Sequence, residues 1–127
     1  VPAIWHFYGG PTGTTSFEEE LINLPAEAEA EVRFAIKCHK DRHRSPGVST
    51  EPPPLDDQNI DGQLRVIWVT TSENKTYALL YAPLANAGGS ASRAVVALHI
   101  TVARSRKIND STRRLAHDRL RTWRKHP

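Results

Sequence analysis

Methionine is absent from the 127-residue chain, and cysteine occurs once, at Cys38. A single cysteine excludes an internal disulfide and makes a reducing, cytoplasmic compartment the expectation. The lack of methionine implies that the initiator has been removed or the chain trimmed. No apolar run approaches the roughly 18–20 residues that span a bilayer, so no membrane partner is expected. Residues 1–17 have neither a basic start nor a long apolar stretch, and are not expected to be a signal peptide. No glycine-rich phosphate loop occurs; Gly9-Gly10 and Gly88-Gly89 read as turns. Internal repeats and low-complexity segments are also missing. What remains is ordinary globular composition, 39% hydrophobic and 24% charged, at a length that suits one domain over 1–127.

The net charge of +3 hides an asymmetry. Residues 1–64 hold 11 acids against 5 Lys/Arg, whereas residues 65–127 hold 3 acids against 12 Lys/Arg. The basic half points to a polyanionic partner such as nucleic acid. Arginine outnumbers lysine by 12 to 5, which suits bidentate contact with phosphate.

Turn and cap signals divide the chain. Ile4 to Tyr8 reads as a strand closed by Gly9-Gly10-Pro11. Ser16 and Glu19 form a capping-box pattern ahead of a helix over Phe17 to Leu24. Pro25 then opens a second helix running to about Arg44, with Ala28, Val32, Ala35, Ile36 and His39 at helical spacing. Residues 45–61, with Pro46, Pro52, Pro53, Pro54, Glu51, Asp56, Asp57 and Asp61, read as an exposed, Pro-rich acidic loop. Strands are expected over Leu64–Val69, Thr76–Ala82 and Arg93–Val102, with a loop over Pro83–Ser92. In the last strand Ala94, Val96, Leu98, Ile100 and Val102 should face the core, which turns His99 to the opposite face. Asn109-Asp110-Ser111 caps a final helix over Thr112 to Lys125. The expected fold is α+β: a small antiparallel sheet with an N-terminal helical hairpin and a C-terminal helix, in the order β-α-α-β-β-β-α, with the helices on one face.

That order, with several local phrases, resembles the RelE/ParE toxin superfamily, in particular its HigB-like branch of actinobacteria and phages. The phrases are Trp5-His6-Phe7-Tyr8, Phe17-Glu-Glu-Glu-Leu-Ile-Asn-Leu-Pro25, Asp61-Gly62-Gln-Leu-Arg-Val-Ile-Trp68, Tyr77-Ala-Leu-Leu-Tyr81, Leu98-His99-Ile-Thr-Val-Ala-Arg104-Ser-Arg106-Lys107 and Arg121-Thr-Trp-Arg124. The resemblance implies a toxin of a toxin–antitoxin system that enters the ribosome and cuts mRNA without a metal or other cofactor. Its partners would be the ribosome, mRNA and a cognate antitoxin, of helix-turn-helix type, covering the basic face. In such a ribonuclease a base activates the ribose 2′-hydroxyl, cations stabilise the phosphate, and an acid protonates the leaving oxygen.

Carried onto this chain, His99 or Tyr81 would transfer protons and Arg104 and Lys107 would stabilise phosphate. Tyr77, Arg106, Arg113, Arg114 and Arg121 would bind RNA by stacking or charge. The family usually has arginine where this chain has Ile67 and Ala78. Those departures leave open a catalytically silent module of the same fold that binds RNA, a ribosome or a protein in phage or prophage regulation. A ParE-like gyrase inhibitor is the third alternative. His39 and His43, four residues apart, lack the glutamate and third ligand of a zinc site, so no metal is expected. Cys38 reads as a packing residue.

Overall fold

The computed structural model describes residues 3–41, 55–84 and 93–127. The chain is α+β. Its elements are β1 (Ala3–Phe7), α1 (Phe17–Ile22), α2 (Ala26–Asp41), β2 (Asp57–Asn59), β3 (Arg65–Thr70), β4 (Thr76–Leu84), β5 (Arg93–Val102) and α3 (Asp110–Lys125). His43, the expected end of the second helix at Arg44, most of the acidic loop and most of the Pro83–Ser92 loop lie outside the described residues.

The helix boundaries follow from their caps. Ser16 Oγ accepts from the Glu19 backbone N–H at 3.1 Å, as the capping-box pattern requires. α1 ends at Ile22, two residues short of expectation, because Pro25 disfavours helical geometry at Leu24. The Pro25 carbonyl then accepts from the Glu29 N–H at 2.9 Å, opening α2. Asn109 caps α3 through a 2.8 Å bond from the Thr112 N–H.

Five strands form one sheet in the order β1-β5-β4-β3-β2. β1 runs parallel to β5, with Ala3 opposite Arg93 and Phe7 opposite Ala97, while the other pairs are antiparallel. The sheet is therefore mixed rather than antiparallel. The helices between β1 and the later strands allow the parallel return. β2 is an added strand inside the expected 45–61 loop. Asp57, Gln58 and Asn59 are poor strand formers, and side chains far away in sequence hold them. Trp68 Nε1 donates to Gln58 at 3.0 Å, and Arg65 Nε and the Tyr81 hydroxyl both donate to Asp57, at 3.2 and 2.7 Å.

The helices cover both faces of the sheet, not one. Trp5 and Phe7 of β1 meet His39 of α2 and Phe17 of α1, whereas His6 between them meets Trp123 of α3. Successive strand residues point to opposite faces, so α3 lies across the sheet from α1 and α2. Double cover also explains why alternation in β5 misreads the core. Val95, Val96, Ala97, Leu98 and Ile100 are all buried, and Val102 is 55% exposed where a core position was expected. A register shift between Leu80 and Tyr81, which pair with His99 and Ala97, leaves Leu98 opposite no residue of β4.

Sidedness is testable by denaturant unfolding. Leu98→Ala should cost about 3 kcal/mol, as expected for a fully buried leucine. Val102→Ala should change stability by less than about 0.5 kcal/mol. Equal effects would contradict this assignment of core and surface.

Candidate functional site

His99 sits in an internal ion-pair network. Its Nδ1 lies 2.8 and 3.0 Å from the two carboxylate oxygens of Glu20 in α1. Arg119 of α3 donates from Nη1 to Glu20 at 2.8 Å and to the Leu98 carbonyl, also at 2.8 Å. The three side chains are only 9–15% exposed. Burial alone would raise the Glu20 pKa, but the hydrogen bonds from His99 and Arg119 outweigh it and hold the carboxyl below its ordinary value. A carboxylate at Nδ1 fixes the proton on that nitrogen, which leaves Nε2 as the acceptor of the neutral ring. The arrangement can orient an imidazole. Its first consequence is structural, since one carboxylate joins α1, β5 and α3.

Tyr81 is held just as firmly. It is 1% exposed, packs against Trp5 and His39, donates to Asp57 at 2.7 Å and accepts from Arg65 Nε at 3.3 Å. Burial, reinforced by the Asp57 carboxylate, pushes its phenol well above the ordinary value. The hydroxyl therefore stays protonated and serves as a donor that anchors β2. Tyr77 is 2% exposed, which closes its ring to stacking on a base. His39 accepts from Trp5 Nε1 at 3.0 Å through its Nδ1 and is a core residue.

The basic candidates divide into neutralised and open groups. Arg106 lies over the Trp68 ring at 5.6 Å and pairs with Asp56, while Arg113 and Arg121 pair within α3 with Asp110 and Asp118. Arg114 is exposed on the same helix. Arg104 and Lys107 are exposed in the β5–α3 connection, and neither pairs with a carboxylate among the described residues. Ser105 and Arg106 both adopt left-handed backbone, φ 60° and 53°, which turns the connection sharply. Arg104 and Lys107 line a concavity of about 720 Å3 together with Thr101, Val102, Ile108 and Asn109. None of its lining residues is acidic.

The structure thus gathers Arg104 and Lys107 in one concavity, with Arg106 turned towards Asp56, and neither His99 nor Tyr81 lines that concavity. Sequence reasoning missed Glu20 as a partner of His99 and Asp57 as a partner of Tyr81. No local pattern signals a contact between residues 79 positions apart. It also passed over Lys75, which the β3–β4 turn brings close to Arg104: both line a second concavity. Comparison with models of known protein families gives no match, and no curated protein sequence matches the chain.

The Glu20 network makes a signed prediction. A carboxyl with a lowered folded-state pKa stabilises the fold above its unfolded value, near 4.5, and that contribution is lost as pH falls through the folded value. Glu20→Gln should destabilise the protein by about 3 kcal/mol at pH 7, because it uncouples a buried pair. In urea titrations the gap between wild type and variant should shrink below about pH 4.5. A gap that does not change with pH would show that the carboxylate charge is not what matters.

Proposed function

We propose that the chain is an RNA-binding protein of RelE/HigB-like type, acting on translating ribosomes as one half of a toxin–antitoxin pair. The observation that carries this reading is the carboxylate-free concavity of Arg104 and Lys107 at the end of β5. Six other arginines (Arg33, Arg65, Arg106, Arg113, Arg119 and Arg121) carry an acidic partner, whereas Arg104 and Lys107 share one concavity without one; exposed Arg114, Arg124 and Lys125 extend the basic surface along α3. Cations without internal partners bind phosphate without first breaking a pair. The order of elements from β1 to α3 supports the family resemblance, with β2 as an addition. An antitoxin, of helix-turn-helix type, would act by covering the same basic surface.

Binding rather than cutting is the better-supported activity, because both proton-transfer candidates are held by internal partners. A second reading, ribosome-dependent mRNA cleavage, draws on one observation: Glu20 orients His99 as a carboxylate orients a catalytic imidazole.

A translation extract tests the two. The protein should inhibit synthesis while mRNA stays intact, and Arg104→Gln with Lys107→Gln should reduce inhibition at least about tenfold, as lost phosphate contacts imply. Cleaved mRNA that becomes intact with His99→Ala would establish the nuclease instead. No inhibition and no RNA binding by wild type would reject both.

A further inference from the structure

We propose that a track for single-stranded RNA crosses the end of β5, with Lys75 contacting a phosphate and Val102 forming the floor on which a base rests. This rests on the RNA-binding reading above and names the nucleic-acid class and two residues which that reading does not use.

Two concavities meet at the end of β5. The first is the one beside the start of α3 described above. The second, of about 490 Å3, is lined by Asn74, Lys75, Thr76, Val102, Ala103, Arg104 and Ser105. Both fall in the size range of small-ligand pockets. They share Val102, Ala103 and Arg104, so Arg104 stands between them with Lys107 on one side and Lys75 on the other. Neither lining contains a carboxylate, and Lys75 has no carboxylate partner among the described residues. By contrast, the cleft between α2 and β3 is lined by Glu31 and Asp56, which would repel phosphate.

Lys75 is presented by a fixed turn. Asn74 takes a left-handed φ of 61°, the Thr71 N–H donates to the Lys75 carbonyl at 2.9 Å, and the Asn74 N–H donates to the Thr71 carbonyl at 3.0 Å. Glu27 of α2 accepts from the Ser72 N–H at 2.9 Å and from its hydroxyl, tying the turn to the helix. A cation on an anchored turn loses less freedom on binding than one on a loose loop.

Val102 decides for a single strand. It is an apolar side chain, 55% exposed, set among three cations. A duplex presents its phosphates and 2′-hydroxyls and keeps its bases stacked, so it would gain nothing from Val102. A single strand can seat one nucleotide in each concavity, bury part of a base against Val102 by apolar contact rather than by stacking, and place the linking phosphate at Arg104.

The test uses a fluorescent oligouridine of about 12 nucleotides, within the span of single-strand sites. Binding to the full chain is followed by anisotropy over a range of salt. Lys75→Gln and Arg104→Gln should each weaken binding about 3–10-fold and flatten the log K against log salt plot by about 0.7 per lost phosphate contact. Val102→Asn should weaken binding by a similar factor with the slope unchanged, because it removes an apolar contact. Lys37→Gln, an exposed change on α2, should do neither. If Arg104→Gln weakens binding but Lys75→Gln and Val102→Asn behave like Lys37→Gln, the track is wrong and the RNA-binding reading stands. A matched RNA duplex that binds as tightly as the single strand also overturns the track. If wild type does not bind, or Arg104→Gln has no effect, both fall.

Discussion

One half-buried carboxylate ties the molecule together. Glu20 accepts from His99 on β5 and Arg119 on α3, and the same Arg119 nitrogen satisfies the Leu98 carbonyl at the register shift. A bulge frees a backbone carbonyl, and a buried carbonyl without a partner is costly, so the guanidinium answers a need that the sheet itself creates. Arg119 also lies 5.1 Å over the Tyr8 ring, just beyond β1. Helices on opposite faces, the edge strand and the longest strand are thereby held in one arrangement. The open end of β5 is then free to carry exposed cations without serving the core.

Charge is sorted by role. The local pairs on α2 and α3, Arg33 with Glu29, Arg113 with Asp110 and Arg121 with Asp118, are solvent-facing and add little stability. On α3, where six Lys/Arg stand against two acids, they temper the positive field without removing it; α2, with four acids against three Lys/Arg, has no such field. Arg65 is different: together with Tyr81 it fixes Asp57 and so keeps the three-residue β2 on the sheet. Arg106 marks the boundary between the two regimes. It leaves the connection shared with Arg104 and Lys107 but returns to Asp56 and the Trp68 ring.

Elements written in short-range code were legible in the sequence. The Ser16–Glu19 box, the Asn109 cap and the Arg93–Val102 strand lie where turn and cap residues place them. Long-range partners were not. Asp57-Gln58-Asn59 has no strand signal, because its pairing depends on Arg65, Trp68 and Tyr81 reaching it across the sheet. Period-two alternation in β5 was overridden by cover on both faces and by the register shift at Leu98. The basic half of the chain did mark the side of the molecule that carries Arg104 and Lys107. It could not separate them from arginines that the fold neutralises, nor show that His99 and Tyr81 have acidic partners from other elements.

The parallel pairing of β1 with β5 also has a bearing on how the chain reaches its fold. Partners such as Ala3 and Arg93 are separated by about 90 residues, so their contact closes a loop comprising most of the domain. β3 and β4 can pair across a short turn as soon as both exist, but β1 has no strand to join until β5 is in place. During synthesis, the apolar face of β1 must therefore wait for the C-terminal half. The concavities at the end of β5 contain no residue of β1, so they need only β4, β5 and α3 in place, while the parallel edge strand is free to dock last.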